Sequence, residues 1–93
     1  MTERVITDNP QDSRFELHLD DQFMGWVDYR LDGNVMTIPH VQVSAQLRGQ
    51  GISAPFLDDV LTEIRERGLK IVPTCGYARS HVADRPHLHD LLA

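Results

Sequence analysis

A single apolar stripe in the second half of the chain constrains the fold more than any other feature. Its members follow the i, i+1, i+4, i+5, i+8 spacing of one helix face, and they are Phe56, Leu57, Val60, Leu61 and Ile64. Gly68 is placed to end this helix at its C′ position. Pro55 is tolerated only in a first turn, so the helix must begin between Gly51 and Ala54. With a strand on either side, the helix predicts a right-handed parallel crossover.

Extended segments precede and follow this helix. The polar run over residues 7–14 predicts an entry loop after a short strand at Val5-Ile6. Alternating and β-favouring residues predict four further strands, over Phe15–Leu19, Phe23–Leu31, Val35–Val43 and Leu69–Val72. Asp32-Gly33 predicts the hairpin between the second and third of these four. Pro39 removes a ladder donor, so we expect a bulge or interrupted pairing there.

Together these elements predict an α/β (α+β) fold. A three-stranded antiparallel meander leads to one main amphipathic helix, a parallel crossover strand, and short helical pieces at Tyr77–Ala83 and His87–Ala93. The length of 93 residues favours a single domain over residues 1–93. No apolar run is long enough to span a membrane, and no apolar leader follows Met1. The single cysteine cannot form an internal disulfide, so we expect a cytoplasmic protein.

The charge pattern argues against several classes of partner. Nine basic and fourteen acidic residues give a net charge of −5 with neutral histidines. The basic residues form no cluster, so we expect neither nucleic acid nor an anionic membrane as a partner. None of the five histidines has the spacing of a metal site. His87 and His89 are close enough to catch a metal adventitiously, but we expect no metal cofactor.

A turn with two glycines stands between the third strand of the meander and the helix, and it runs Arg48-Gly49-Gln50-Gly51-Ile52-Ser53. Glycine lets the backbone turn sharply and approach a ligand closely. The free N–H groups of a first helical turn favour an anion, and Arg48 adds a positive charge. These features suit a phosphate or pyrophosphate group. The alternative is a loop that uses its glycines for turning and binds no ligand.

This turn resembles the acyl-CoA signature Arg-x-x-Gly-x-Gly/Ala of the GNAT superfamily of N-acetyltransferases, with Ser53 where the pattern prefers glycine or alanine. From Phe15 onward the chain resembles the very small acetyltransferase-like proteins of that superfamily, which have about this length. The stretches that carry the resemblance are Tyr29-Arg30, Asp32-Gly33, Met36–His40, Val43, Leu47–Ile52, Val72–Tyr77, Arg85-Pro86 and Leu91-Leu92.

The resemblance implies acetyl-CoA as the co-substrate. In the superfamily, the two strands that flank the main helix splay apart, and the pantetheine arm enters between them. Val41 and Val43 would then offer main-chain groups to pantetheine, and residues 48–53 would hold the pyrophosphate. The thioester would lie near Cys75 and Tyr77.

The resemblance also implies direct attack of a neutral amine on the thioester, with one group acting as base and another as acid. His40 is the candidate base, because Gln42 stands where small relatives often have glutamate and cannot take a proton. The alternative for His40 is a structural histidine. Tyr77 is a candidate acid for the departing thiolate, or it packs as an ordinary amphipathic residue. Cys75 has three interpretations: a nucleophile, an acid, or a small buried apolar side chain.

Two functions follow from the resemblance. The first is an acetyl-CoA-dependent N-acetyltransferase that acts on a primary amine, such as a protein lysine or a polyamine. The chain is too short for the two N-terminal helices that wall the acceptor site in larger relatives, so we expect an open acceptor groove. The second is a CoA-binding sensor or adaptor with little or no turnover. A third and weaker alternative is a small interaction domain without a ligand.

Replacing Arg48 with Ala should weaken CoA binding by about 1.5–3 kcal/mol, the range for a charge-assisted hydrogen bond to a phosphate. Isothermal titration calorimetry with CoA measures this loss directly. An unchanged affinity would show that Arg48 is only a solvated loop residue.

Overall fold

The computed structural model describes residues 4–47 and 51–93. One sheet has the order β1-β2-β3-β4-β5, and its strands are β1 Arg4–Asn9, β2 Arg14–Leu19, β3 Gln22–Asp32, β4 Val35–Val43 and β5 Lys70–Pro73. The helices are α1 Ser53–Glu66 and α2 Gly76–Ala83, with short 3-10 helices at Ala45–Leu47 and Pro86–Leu91. The first four strands are antiparallel, and β5 is parallel to β4. The predicted α+β architecture with a parallel crossover is therefore confirmed.

The antiparallel meander has four strands where the sequence predicted three. β1 pairs with β2 along its whole length, so the loop predicted over residues 7–14 shrinks to a turn at residues 10–13. The sequence predicted this strand only at Val5-Ile6, because these are its only apolar residues. An edge strand needs no regular apolar alternation, since one of its sides faces solvent. Pairing with β2, a non-local contact, defines β1.

One hydrophobic core lies between the sheet and the helices. The predicted stripe of α1 is buried in full, at Phe56, Leu57, Val60, Leu61 and Ile64. These side chains pack in one cluster with Phe15, Leu17, Ile38 and Ile71 of the sheet and Val82 of α2. Gly68 follows the end of α1 with a φ of 74°, the left-handed conformation that favours glycine at this position. The predicted start, stripe and stop of the main helix are all confirmed.

A bulge in β4 lies at the proline, as predicted. The register between β3 and β4 shifts between the pairs Asp28–His40 and Arg30–Thr37. The β4 members of these pairs are separated by one residue more than the β3 members, so β4 holds an extra residue in this interval. Pro39 lies within it, where its missing N–H removes no ladder bond.

The bulge decides which β4 side chains reach the core. Met36 and Ile38, before the bulge, are buried at even-numbered positions, whereas Val43, after it, is buried at an odd-numbered one. Side chains of a regular strand alternate between the two faces. Without the extra residue, the second half of β4 would turn its apolar side chains to solvent. The bulge therefore allows both halves of the strand to cover the helices.

A polar cluster at the edge of the sheet joins β1, β3 and the end of α1. The Tyr29 hydroxyl donates to Asp8 Oδ1 at 2.7 Å, and Arg67 donates to Asp8 Oδ2 at 2.7 Å. The Tyr29 ring packs on Phe15, with 5.3 Å between the ring centroids. Burial and the hydrogen bond to Asp8 raise the pKa of Tyr29 to about 12.

Replacing Tyr29 with Phe should remove an alkaline loss of stability. The pKa of Tyr29 rises from 10.0 to about 12 on folding, so its stabilising contribution is complete below pH 10 and disappears as the pH rises to about 12. The gap in thermal unfolding temperature between the parent and the Tyr29→Phe variant should close over that interval. Tyr77→Phe measures the separate alkaline effect of the second tyrosine, whose pKa is also raised. A gap that stays constant up to pH 12 would contradict the prediction.

Candidate active site

The strands β4 and β5 part at a single residue. Their parallel pairing ends at Ile38 and Pro73. There the Ile38 carbonyl accepts hydrogen bonds from the backbone N–H groups of Thr74 at 3.1 Å and Cys75 at 3.0 Å. β4 then continues to Val43, whereas the chain after β5 turns away into α2. A gap opens between them.

Beyond Ile38, the backbone of β4 directs some of its N–H and C=O groups toward this gap. The Ser44 N–H donates to the Met24 carbonyl at 2.7 Å, and an antiparallel pair exchanges bonds at every second position. Gln42 therefore bonds to β3, whereas Val41 and Val43 direct their N–H and C=O groups away from β3. An extended ligand can pair with such an edge as another strand would. This orientation is the one that the predicted pantetheine contacts of Val41 and Val43 require.

A pocket of about 190 Å³ lies in the gap, and its lining residues are Val41, Gln42, Val43, Ser53 and Tyr77. Both helices direct their N-terminal ends toward it, because Ser53 is the first residue of α1 and Tyr77 the second of α2. The N–H groups of a first turn have no intrahelical acceptor, and the N-cap residue Ile52 supplies no side-chain bond. The pocket therefore combines strand-edge backbone with helix-end amides.

Gln42 forms part of the pocket wall and also makes a hydrogen bond there. Its Nε2 donates to the carbonyl oxygen of Val43 at 3.2 Å. A carboxylate could not replace this bond, because a carboxylate and a carbonyl are both acceptors. The sequence identified Gln42 only as the loss of a base, whereas the pocket uses its amide as a donor.

Tyr77 lines the pocket with a phenol that is half-exposed. Burial is the largest cause that raises the pKa of Tyr77 above its ordinary value. Arg85 and a hydrogen bond from Ser53 act in the opposite sense, and the charges of Asp58 and Cys75 add to the raised pKa. Tyr77 therefore keeps its proton at neutral pH, so the phenol is a hydrogen-bond donor and not a base.

Cys75 is the N-cap residue of α2 and stands two positions before Tyr77. Its side chain is half-buried and packs against the hydrophobic core. Its backbone is tied at both ends, since its N–H donates to Ile38 and its carbonyl accepts from the Arg79 N–H at 2.9 Å. The thiol is therefore held beside the pocket, although Cys75 is not among the residues that line it.

His40 lies apart from these residues, on the face of the sheet opposite to the helices. It is exposed, and its ring centroid is 6.3 Å from that of Trp26. Trp26 in turn stacks on Phe23 at 6.0 Å, and the Arg14 guanidinium lies over both rings. His40 does not line the pocket, but Gln42, two residues further along the same strand, does. As a base, His40 would have to act from this open face.

The glycine turn is described only at its second half. Gly51 has a φ of 72°, and a Cβ added there would meet nothing within 4 Å. Ile52 follows it and packs against the core. The predicted phosphate-binding residues Arg48, Gly49 and Gln50 lie outside the described residues.

Sequence reasoning missed one side-chain contact next to the pocket. Asp58 of α1 and His81 of α2 form a hydrogen bond at 2.7 Å, close to Tyr77. One signal was available, because Tyr77 and His81 are four residues apart and so lie on one face of the predicted helix. Nothing in the sequence indicated that Asp58 would meet that face.

Two other kinds of feature are missing from residues 4–47 and 51–93. No three or more histidine, cysteine, aspartate or glutamate side chains gather there in an arrangement that could hold a metal ion. Neither helix in this part of the chain has the length and apolar character needed to cross a membrane.

The sequence and the fold are similar to known N-acetyltransferases. The family model for the GCN5-related N-acetyltransferases matches residues 14–91. The chain therefore belongs to the GCN5-related N-acetyltransferase family. No curated protein sequence matches it significantly.

Two solved structures support the same assignment of the fold. An NMR structure of a GCN5-like protein from Staphylococcus aureus, assigned as an N-acetyltransferase, matches with a TM-score of 0.72 and 26% identity, over 96% of this chain and 87% of that one. The ribosomal-protein-S18-alanine N-acetyltransferase from Escherichia coli matches with a TM-score of 0.63 and 14% identity. That match covers 76% of this chain and 49% of the other, and it supports the fold alone.

Replacing Gly25 with Ala should deform the wall of the pocket. A Cβ at Gly25 would lie 2.7 Å from the carbonyl oxygen of Gln42 and 3.2 Å from the Cα of Val43. Both neighbours are backbone atoms, so β4 itself must move. We expect the free energy of unfolding to fall by about 1–3 kcal/mol, as for overpacking of a core, and CoA affinity to fall with it.

Gly76→Ala is the matched control, because a Cβ at Gly76 would meet nothing within 4 Å. Its urea unfolding midpoint should equal or exceed that of the parent, since alanine is the better helix former. If Gly25→Ala has the same urea unfolding midpoint and the same CoA affinity as the parent, the close contact with β4 does not affect stability or binding.

Proposed function

We propose that this protein transfers an acetyl group from acetyl-CoA to a primary amine. One observation carries the proposal: the outward-facing backbone of Val41 and Val43 and the start of α1 border one pocket. A strand edge suits the amide-containing pantetheine arm, and a helix N-terminus suits a phosphate group. Membership of the N-acetyltransferase family supports the same chemistry.

The proposed reaction is a direct transfer. The amine nitrogen bonds to the thioester carbon, and the carbonyl electrons move to the oxygen. When the carbonyl re-forms, the C–S bond breaks and its electron pair leaves with the sulfur. When the amine is in its ammonium form, the nitrogen first loses one proton to a base or to water; after bonding to the carbon it loses a second, and the CoA sulfur gains one. The residues of this chain must therefore accept one proton and stabilise one thiolate.

Tyr77 and His40 are the groups that we propose for these two proton transfers. Tyr77 lines the pocket, keeps its proton at neutral pH, and can donate to the departing sulfur. His40 is exposed on the open face of the sheet, two residues from the pocket-lining Gln42. A water molecule would connect its ring with the attacking amine. Cys75, held beside Tyr77, supports the leaving thiolate and is not acetylated.

The uncovered face of the sheet supports an accessible acceptor. No helix in the described part of the chain packs over His40, Trp26 and Phe23. An amine that protrudes from a larger molecule can approach such a surface, so we propose a protein lysine or a polyamine as the acceptor.

A CoA-binding module with little turnover is the second candidate function. The observation that favours it is the Gln42 amide, which donates to the Val43 carbonyl and offers no base at the pocket. Incubation with acetyl-CoA and a panel of amines discriminates between the two candidates. Release of free CoA that depends on the amine supports the transferase. Calorimetric binding of CoA with no release under any condition supports the module.

The Cys75→Ser variant should separate direct transfer from a covalent mechanism. We expect it to fold, to bind CoA, and to lose only about 10- to 100-fold in rate, because a hydroxyl keeps the shape of the thiol but is a poorer acid. His40→Gln should lose rate mainly below about pH 8, since an unprotonated amine needs no base at higher pH. Rates from pH 6 to 10 with one good acceptor test both variants.

Two results would overturn this assignment. A stable acetyl adduct on Cys75 in the parent, together with a Cys75→Ser variant that is wholly inactive, would establish a covalent mechanism. If the parent itself releases CoA only at the background rate, the CoA-binding module becomes the better account.

A further inference from the structure

A buried histidine behind the pocket has no part in the proposed reaction. His81 of α2 is 4% exposed and belongs to the same packed region as the core. Its Nε2 lies 2.7 Å from Oδ1 of Asp58, on the second turn of α1. A carboxylate can only accept, so Nε2 carries the proton of this bond. The bond is the side-chain link between the middle of α2 and α1.

Arg85 closes the cluster from the other side. Its Nε is 3.8 Å from the same Asp58 oxygen, and its Nη1 donates to the backbone carbonyl of His81 at 3.2 Å. Asp58 therefore lies between an imidazole N–H and a guanidinium. Its carboxylate is half-exposed, whereas the His81 side chain is almost completely shielded. Asp58 is therefore the solvent-exposed member of the cluster, and His81 is the buried one.

This cluster lies directly behind Tyr77. The rings of Tyr77 and His81 are one helical turn apart, with 6.2 Å between their centroids and 52° between their planes. The His81 Nε2 bonds to Asp58, so the imidazole is a packing neighbour of Tyr77 and not a proton relay. Two polar contacts thus join Asp58 of α1 to α2 and the residues after it, the hydrogen bond to His81 and the ion pair with Arg85.

The short length of α2 gives these bonds their importance. An isolated helix of eight residues is unstable in water, so tertiary contacts must fix its position. The start of α2 is bound to β4 through the Ile38 carbonyl. Its apolar face packs in the hydrophobic core through Ala78 and Val82. These contacts fix which face of α2 meets the core, and the exposed Tyr77 lies outside that face. The Asp58–His81 bond acts on the side of the helix that carries Tyr77.

We propose that Asp58, His81 and Arg85 form a positioning cluster, which holds α2 against α1 and thereby directs the Tyr77 phenol into the pocket; this role rests on the function proposed above. Tyr77 then donates its proton to the sulfur as the C–S bond breaks, and solvent water restores the phenol. Val41, Val43 and the start of α1 do not depend on the cluster. Loss of the cluster should therefore slow turnover without weakening CoA binding.

Charge gives the proposal a second measurable consequence. The Asp58 carboxylate raises the pKa of Tyr77, and the Arg85 guanidinium lowers it. Removing either charge while keeping the shape should move the Tyr77 titration, and the two changes should move it in opposite directions. Opposite shifts would establish that Asp58 and Arg85 lie close enough to act on the phenol, which the proposal requires, and the kinetic comparison then separates a positioning role from a purely structural one.

The first test is kinetic and uses His81→Phe and His81→Gln. Phenylalanine fills the space but cannot donate, whereas the glutamine amide can donate to Asp58. We expect kcat to fall about tenfold in His81→Phe through misplacement of Tyr77, and to recover in large part in His81→Gln. The KM for acetyl-CoA and the calorimetric Kd for CoA should stay within about twofold of the parent in both. Equal kcat values in parent and His81→Phe would overturn the proposal.

The second test does not need activity. Tyrosinate absorbance follows the titration of Tyr77, and Tyr77→Phe identifies its share, because the other tyrosine, Tyr29, titrates near 12. Asp58→Asn should lower the Tyr77 midpoint and Arg85→Gln should raise it. Asp59→Asn is the matched control, since its carboxylate pairs with Arg4 of β1 and not with the cluster.

The two tests separate failure of this proposal from failure of the proposed function. If Tyr77 titrates as expected but no amine is ever acetylated, the contact between the cluster and Tyr77 stands and the proposed function fails. If the enzyme is active but the Asp58 and Arg85 variants leave the titration unchanged, the positioning cluster is wrong. If His81→Phe fails to fold, Asp58→Ala, which removes the same bond from its solvated side, replaces it in the kinetic test.

Discussion

The candidate site depends on the carbonyl of Ile38, the last point at which β4 and β5 are joined. Two consecutive N–H groups, those of Thr74 and Cys75, converge on this one oxygen. The chain after β5 can then leave the sheet without losing its backbone hydrogen bonds. β4 stays in the sheet and continues to Val43, paired with β3 on one side only. The edge of β4 beyond Ile38 is therefore left without a partner strand, although proteins usually cover such edges or protect them from pairing.

The bulge at Pro39 makes this open edge compatible with a packed core. It lets Met36 and Val43, on its two sides, reach the same core, so the free half of β4 stays anchored by its side chains. Anchored side chains fix the direction of the backbone groups of Val41 and Val43. The backbone of the pocket wall is therefore held in place by the same side chains that pack the core.

The two helices contribute to the pocket in different ways. α1 is long, amphipathic and buried along its apolar stripe, so its N-terminal end is fixed by the core. α2 has only eight residues and depends on its neighbours for position. Its polar link to α1, from His81 to Asp58, lies on the side of α2 that carries Tyr77. Tyr77, the proposed acid, is thus on the shorter of the two α-helices, and a polar cluster supports its position.

The sequence by itself determined the local elements and the family. The stripe from Phe56 to Ile64, the stop at Gly68 and the bulge at Pro39 depend on residue type and spacing, so local physics was sufficient to predict them. It predicted β1 only at Val5-Ile6, because the rest of this edge strand receives its identity from its partner β2. It did not determine the Gln42 bond or the meeting of Asp58 with His81, which depend on how strands and helices far apart in the chain are brought together. Only the tertiary structure decided these contacts, because a hydrogen bond between distant segments leaves no periodic pattern in the sequence.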